Sequence, residues 1–106
     1  MAGGTLSQEN KMAETGRKAV RVRIEGRVQG VSFRLWTRAE ADRFGIAGWV
    51  RNEKDGSVAA FLAGSDEAVS AMLKTLWTGP PGAVVRNVVS EPAGSTHQPA
   101  GFRIVD

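Results

Sequence analysis

The run AVRVRIEGRVQGVSFRLWTRAEADRFG, Ala19–Gly45, changes its period half way along, and that change decides the fold. Val20, Val22 and Ile24 alternate with Arg21, Arg23 and Glu25, the period of two of a strand buried on one face. From Phe33 the pattern lengthens: Phe33, Thr37, Ala41 and Phe44 fall at helical spacing, and Gly45 stands where a left-handed C-terminal cap is expected. The sequence thus predicts a strand over 19–26, a turn, and a helix over about 32–44. The turn, GRVQGVSFR, contains no carboxylate, histidine or cysteine, and it sets a permanent cation, Arg34, in the first turn of the helix. A helix start leaves amide N–H groups unpaired and carries partial positive charge. With Gly26 and Gly30 free to turn successive amides inward, the segment suits an anion cradle completed by the Arg34 guanidinium. The same residues also suit a plain tight connection followed by a surface arginine.

Outward from this run, IAGWVRN and SVAAFLAG flank EKDG, whose Asp55–Gly56 pair is expected to supply the positive dihedrals of a tight hairpin turn. Ser65 reads as an N-cap, with Asp66 and Glu67 in the first helical turn and Val69, Met72, Leu73 and Leu76 as one apolar stripe. The second helix ends by TGPPG. AVVRNVV follows as a strand, then a loop from about Ser90 to Gly101 and a short FRIV strand. The order βαββαβ plus a short C-terminal strand predicts an α+β, ferredoxin-like two-layer α/β sandwich: an antiparallel sheet with two helices on one face. Residues 1–18, polar and without periodicity, are expected to form a disordered N-terminal tail, and residues 19–106 the domain.

Composition removes several function classes. No cysteine is present, which excludes a disulfide framework, a thiolate metal site and a cysteine nucleophile. The 14 Lys and Arg against 11 Asp and Glu give +3, and the arginines are spread singly from Arg17 to Arg103 rather than clustered, which favours a small anionic ligand over nucleic acid. With no signal-peptide-like stretch and no apolar run of membrane length, the chain is expected to be cytoplasmic, with no membrane partner. The lysine and Ser/Thr of a P-loop are missing from the glycine turn, and it is not a dinucleotide fingerprint. The sole histidine, His97, has no acidic neighbour in sequence and is expected to be an incidental loop residue, so neither a Ser-His-Asp triad nor a histidine metal site is expected.

Asn52, at the end of the second strand, is the other candidate. Its neutral amide can donate to one oxygen and accept from another, and so can hold a water in line with a phosphorus atom, although a turn-forming role would also suit it. Trp36, Trp49 and Trp77 are read as core or core-edge packing, with Trp36, off the helical stripe, a candidate for the rim of the site.

Taken together, GRVQGVSFR, GIAGWVRNEKDGSV and GPPGAVV closely resemble the acylphosphatase family, over about Val20 to Asp106. Both family patterns, GxVQGVxFR and GxxGxVxNxxDGxV, are matched in full, in order and at the expected separation. The resemblance implies a metal- and cofactor-free enzyme that hydrolyses small-molecule acyl phosphates to a carboxylate and inorganic phosphate, acting as a monomer. It places the phosphate-binding arginine at Arg34 and the water-positioning asparagine at Asn52. It places the phosphate loop at Gln29, Gly30, Val31, Ser32 and Phe33, and a supporting threonine at Thr37. An acyl phosphate has a good leaving group, so electrostatic stabilisation and alignment can supply most of the catalysis. One rival is a non-catalytic anion- or RNA-binding module on the same fold, but the aromatic signature of an RNA-recognition sheet is not evident: strand one has no aromatic and SVAAFLAG only Phe61. A second is a domain of the kind found inside hydrogenase-maturation proteins; without zinc-finger cysteines or a further catalytic segment, a free-standing enzyme is the expectation.

Overall fold

The computed structural model describes residues 16–94 and 99–106. In them the chain runs β1 (Arg17–Arg27), α1 (Phe33–Phe44), β2 (Ala47–Asn52), β3 (Val58–Ser65), α2 (Asp66–Leu76), β4 (Val84–Pro92) and β5 (Phe102–Ile104). Alternation in β1 buries Val20, Val22 and Ile24 beneath the helices and leaves Arg21 and Arg23 exposed. The strand opens at Arg17, two residues before the expected domain boundary, because Arg17 and Lys18 pair through their backbones with Ser65 and Gly64. Such pairing is blind to the polar side chains that made the segment read as tail. Residues 1–15 of the expected tail, and His97, lie outside the described residues.

Phe33, Thr37 and Ala41 of α1 meet Val69, Met72 and Leu76 of α2 in the core over Val50, Val58 and Leu62. Phe33, 2% exposed, anchors the start of α1, and its truncation to alanine would cost about 3–5 kcal/mol. At the other end Ile46 N–H donates to Ala41 O at 2.8 Å around the left-handed Gly45, closing α1 as its sequence predicts.

The sheet order is β4-β1-β3-β2-β5. Every pairing is antiparallel except β2–β5, which is parallel, so the expected antiparallel sheet is mixed at one edge. β4 and β5 lie on opposite edges, and the connection across the end of the sheet brings β5 back in the direction of β2; three residues of strand carry no signal of that direction. With both helices on one face, the architecture is the ferredoxin-like α+β fold. Its consequence for function is that β1, β2 and β5 all finish at the same end of the sheet.

Of the Asp55–Gly56 pair expected to supply the positive dihedrals of the β2–β3 turn, one residue does so. Only Gly56 has a positive φ, 93°; Gly56 N–H donates to Glu53 O at 3.2 Å and Glu53 N–H to Ser57 O at 2.8 Å. This is a three-residue loop with glycine in the left-handed position, the next commonest hairpin solution. Of the tryptophans expected in the core or at its edge, Trp77 is the most open. Trp77 is 50% exposed, and Trp49 lies half-buried, stacked on Phe61 at 6.4 Å with the Arg51 guanidinium over its ring.

Candidate active site

The turn between β1 and α1 uses its two glycines for different ends. Gly26 is part of β1, at a bulge in the β1–β4 pairing, with φ 130°; a Cβ there would overlap the Val84 carbonyl oxygen and lie 2.8 Å from Arg86 N. It therefore serves close approach of two backbones and not the cradle, correcting the expectation that it turns amides inward. Gly30 does belong to the turn, with φ 78°, and Ser32 shares its left-handed sense at φ 62°, while Val31 between them does not. Ser32 is the only described non-glycine residue with a positive φ, a conformation costing about 1–3 kcal/mol that tends to be kept where function needs it. Backbone whose φ alternates in sign can turn successive amides toward one concave side, where an anion binds.

The two helix starts are treated oppositely. At α2, Ser65 Oγ accepts from Ala68 N–H at 3.1 Å, and Asp66 and Glu67 fill the first turn. At α1, Ser32 makes no side-chain cap and the first turn has no acidic residue; instead it carries Arg34. The amides and partial positive charge of α1 are thus left open to an outside anion. Arg34, half-buried, has no ion pair among the described residues.

Asn52, also half-buried, ends β2 opposite Val58 and faces the same cleft. That cleft, about 310 Å³, brings Gly30, Ser32, Phe33, Arg34 and Asn52 together with Leu35 and Ile104. Val31 is half-buried at the turn, facing the 79–82 loop: a Cβ on Gly82 would touch Val31, and one on Gly79 would press the Phe33 ring at 3.2 Å. The GPPG segment therefore backs the cradle.

Gln29 is placed differently from the other loop residues. Its Nε2 donates to Glu53 O and Ser57 O, both at 2.8 Å, so its side chain ties the β1–α1 turn to the hairpin that carries Asn52. Thr37 is fully buried and its Oγ1 has no hydrogen-bond partner, so it makes no hydrogen bond to Asn52. Trp36 packs edge-to-face on Phe33, 5.3 Å between centroids, and does not line the cleft; Leu35 does. Leu35 and Ile104 escaped the sequence reading. A leucine set well off the apolar stripe of α1 was the available signal for the first; the second depends on where β5 docks.

Among the described residues, Arg34 is the only charged side chain on the cleft wall. Outside it, Ser57, through its hydroxyl and then its amide, and Arg23 at 2.8 Å hold the exposed Asp55 carboxyl below its ordinary range. Among the described residues no three His, Cys, Asp or Glu side chains gather as metal ligands. The arrangement can hold a tetrahedral dianion between amides and guanidinium, with a neutral amide beside it.

The sequence model of the acylphosphatase family matches residues 20–104. An acylphosphatase of Rhizobium meliloti (strain 1021) is 65% identical over 88 residues, covering 83% of this chain and 93% of that protein. Among solved structures, an acylphosphatase from Coxiella burnetii superposes with a TM-score of 0.82 at 33% identity over 87% of this chain and 96% of its own. One from Bacillus subtilis gives 0.81, also at 33% identity, over 83% and 98%. A family match over residues 20–104, a relative at 65% identity and superpositions that cover 83–87% of the chain agree with the open cradle at α1: the chain belongs to the acylphosphatase family and is an enzyme.

Proposed function

We propose that the chain hydrolyses acyl phosphates to a carboxylate and inorganic phosphate without a metal ion, holding the phosphoryl group with Arg34 and the Gly30–Phe33 amides and the attacking water with Asn52. The observation that carries the reading is the convergence of an uncapped helix start, an unpaired arginine and an asparagine on one cleft that offers no other charged group. The water oxygen forms a bond to phosphorus while the bond from phosphorus to the bridging oxygen breaks, its electron pair leaving on the carboxylate. The water's proton passes to a phosphoryl oxygen of the substrate, so no enzyme base is required. Arg34 and the amides stabilise the charge on the equatorial oxygens, and Asn52 fixes the line of attack.

Within the loop, Gly30, Val31, Ser32 and Phe33 contribute backbone, and Gln29 contributes position through its tie to the hairpin. Thr37, one turn beyond Phe33, supports the cradle by packing. The reading has the chain acting on a small molecule as a cytoplasmic monomer: one chain supplies every group invoked, and the lack of cysteine suits a reducing compartment.

The test is hydrolysis of acetyl phosphate by wild type and Asn52→Ala. Turnover is expected to fall about 10²-fold or more while competitive inhibition by phosphate stays within about a few-fold. A parallel fall in both would make Asn52 a binding residue, and phosphate binding without any turnover above the enzyme-free blank would favour a non-catalytic anion-binding module.

A further inference from the structure

We infer that the cleft has an apolar compartment, formed by Leu35 and Ile104, that takes the acyl group, and that the enzyme favours acyl phosphates whose acyl group is uncharged and hydrophobic. This rests on the proposed function, since it extends the same cleft from the phosphoryl group to its leaving group. Leu35 lies about 200° round α1 from Phe33, on the face where an amphipathic helix carries polar residues. It is nonetheless a leucine, 56% exposed. Four large hydrophobic side chains are exposed among the described residues, and of these Leu35 alone lines the cleft.

Leu35 follows Arg34 directly, so it leaves the helix beside the phosphoryl cradle. Ile104, half-buried at the end of β5, lines the same cleft. Val28 and Phe33 also border it but are 1% and 2% exposed, so the apolar surface open to a ligand comes from Leu35 and Ile104. An acyl group bonded to a phosphoryl group held by Arg34 is within reach of that surface, and covering it removes apolar area from water.

Charge points the same way. Arg34 is engaged by the phosphoryl group, and no second cation lines the cleft to pair with an anionic substituent. An acyl group bearing a carboxylate therefore meets hydrophobic surface and, among the described residues, no partner cation on the cleft wall.

The test is kcat/KM for benzoyl, acetyl and succinyl phosphate, in wild type, Leu35→Ala and Leu35→Lys, each divided by the uncatalysed rate of the same compound. Wild type is expected to prefer benzoyl over acetyl phosphate by about tenfold, and Leu35→Ala to bring that ratio most of the way to one. Leu35→Lys should raise the succinyl-to-acetyl ratio above the wild-type value. Leu35 is half in solvent, so unchanged melting temperatures are expected and the ratios report specificity. A benzoyl-to-acetyl ratio near one in wild type, or one that Leu35→Ala leaves unmoved, overturns the compartment while acetyl phosphate hydrolysis upholds the proposed function. Failure to hydrolyse any of the three overturns the proposed function itself.

Discussion

Arg34 combines partial burial with the absence of an ion pair, a costly state for a cation unless an anion is meant to complete it. Its planar fork matches two phosphoryl oxygens, which a lysine's single ammonium does not. Arg34→Ala is expected to remove roughly 2–5 kcal/mol of transition-state binding, leaving turnover below detection and phosphate inhibition greatly weakened, with Arg34→Lys only a partial substitute. Inhibition constants and turnover measured together check this, and near-normal activity in the alanine variant would reject the cradle. Arg34 and Asn52, which line the cleft, could be singled out in the sequence because the chemistry proposed for them resides in the side chain. Ser32 was not: nothing about a serine announces φ 62°, a value imposed by the turn around it. Leu35 went unread because an off-stripe leucine acquires meaning only beside the cleft.

The elements matter through their registration. Arg34 stands on α1 and Asn52 on β2, and the shortest tie between their surroundings is Gln29, whose amide spans to Glu53 O and Ser57 O. Gln29→Leu removes both hydrogen bonds, at about 0.5–1.5 kcal/mol each, and leaves Glu53 O and Ser57 O with their backbone donors, Gly56 N–H and Glu53 N–H. The expected result is a fall in kcat of about tenfold that shrinks to almost nothing in an Asn52→Ala background, because a brace acting through Asn52 has nothing left to align. Gln29→Glu should be worse, since it sets a carboxylate against two carbonyl oxygens. Additive losses in the double mutant would show that Gln29 acts elsewhere. Periodicity made β1, α1 and α2 readable, as the burial of Val20, Val22 and Ile24 and of Val69, Met72 and Leu76 shows. The bulge at Gly26 and the parallel docking of β5 were not readable, because each is set by a partner strand distant in sequence.

At the scale of the whole molecule, two helices on one face leave the ends of β1, β2 and β5 to build a cleft from three separate segments, and the only charge on its wall is a guanidinium. An arginine does not lose its proton in proteins and an asparagine has none to lose, so the proposed mechanism has no group that changes state in the working range. Asp55 is the described group whose titration reaches the fold nearest the site. Its folded pKa lies below the ordinary 3.8, so the stabilisation it lends the hairpin is present above that value and is lost only as pH falls through the depressed one. Turnover corrected for the enzyme-free rate should therefore be nearly flat from roughly pH 5.5 to 8. It should also be unaffected by a chelator, and His97→Ala should be silent. The substrate's own protonation acts at the acid end of this range, so each pH needs its own blank and a saturating series. A bell-shaped profile abolished by His97→Ala would replace Asn52 by a general base. Loss of activity in chelator, restored by a divalent ion, would move charge stabilisation from the guanidinium and the amides to a metal.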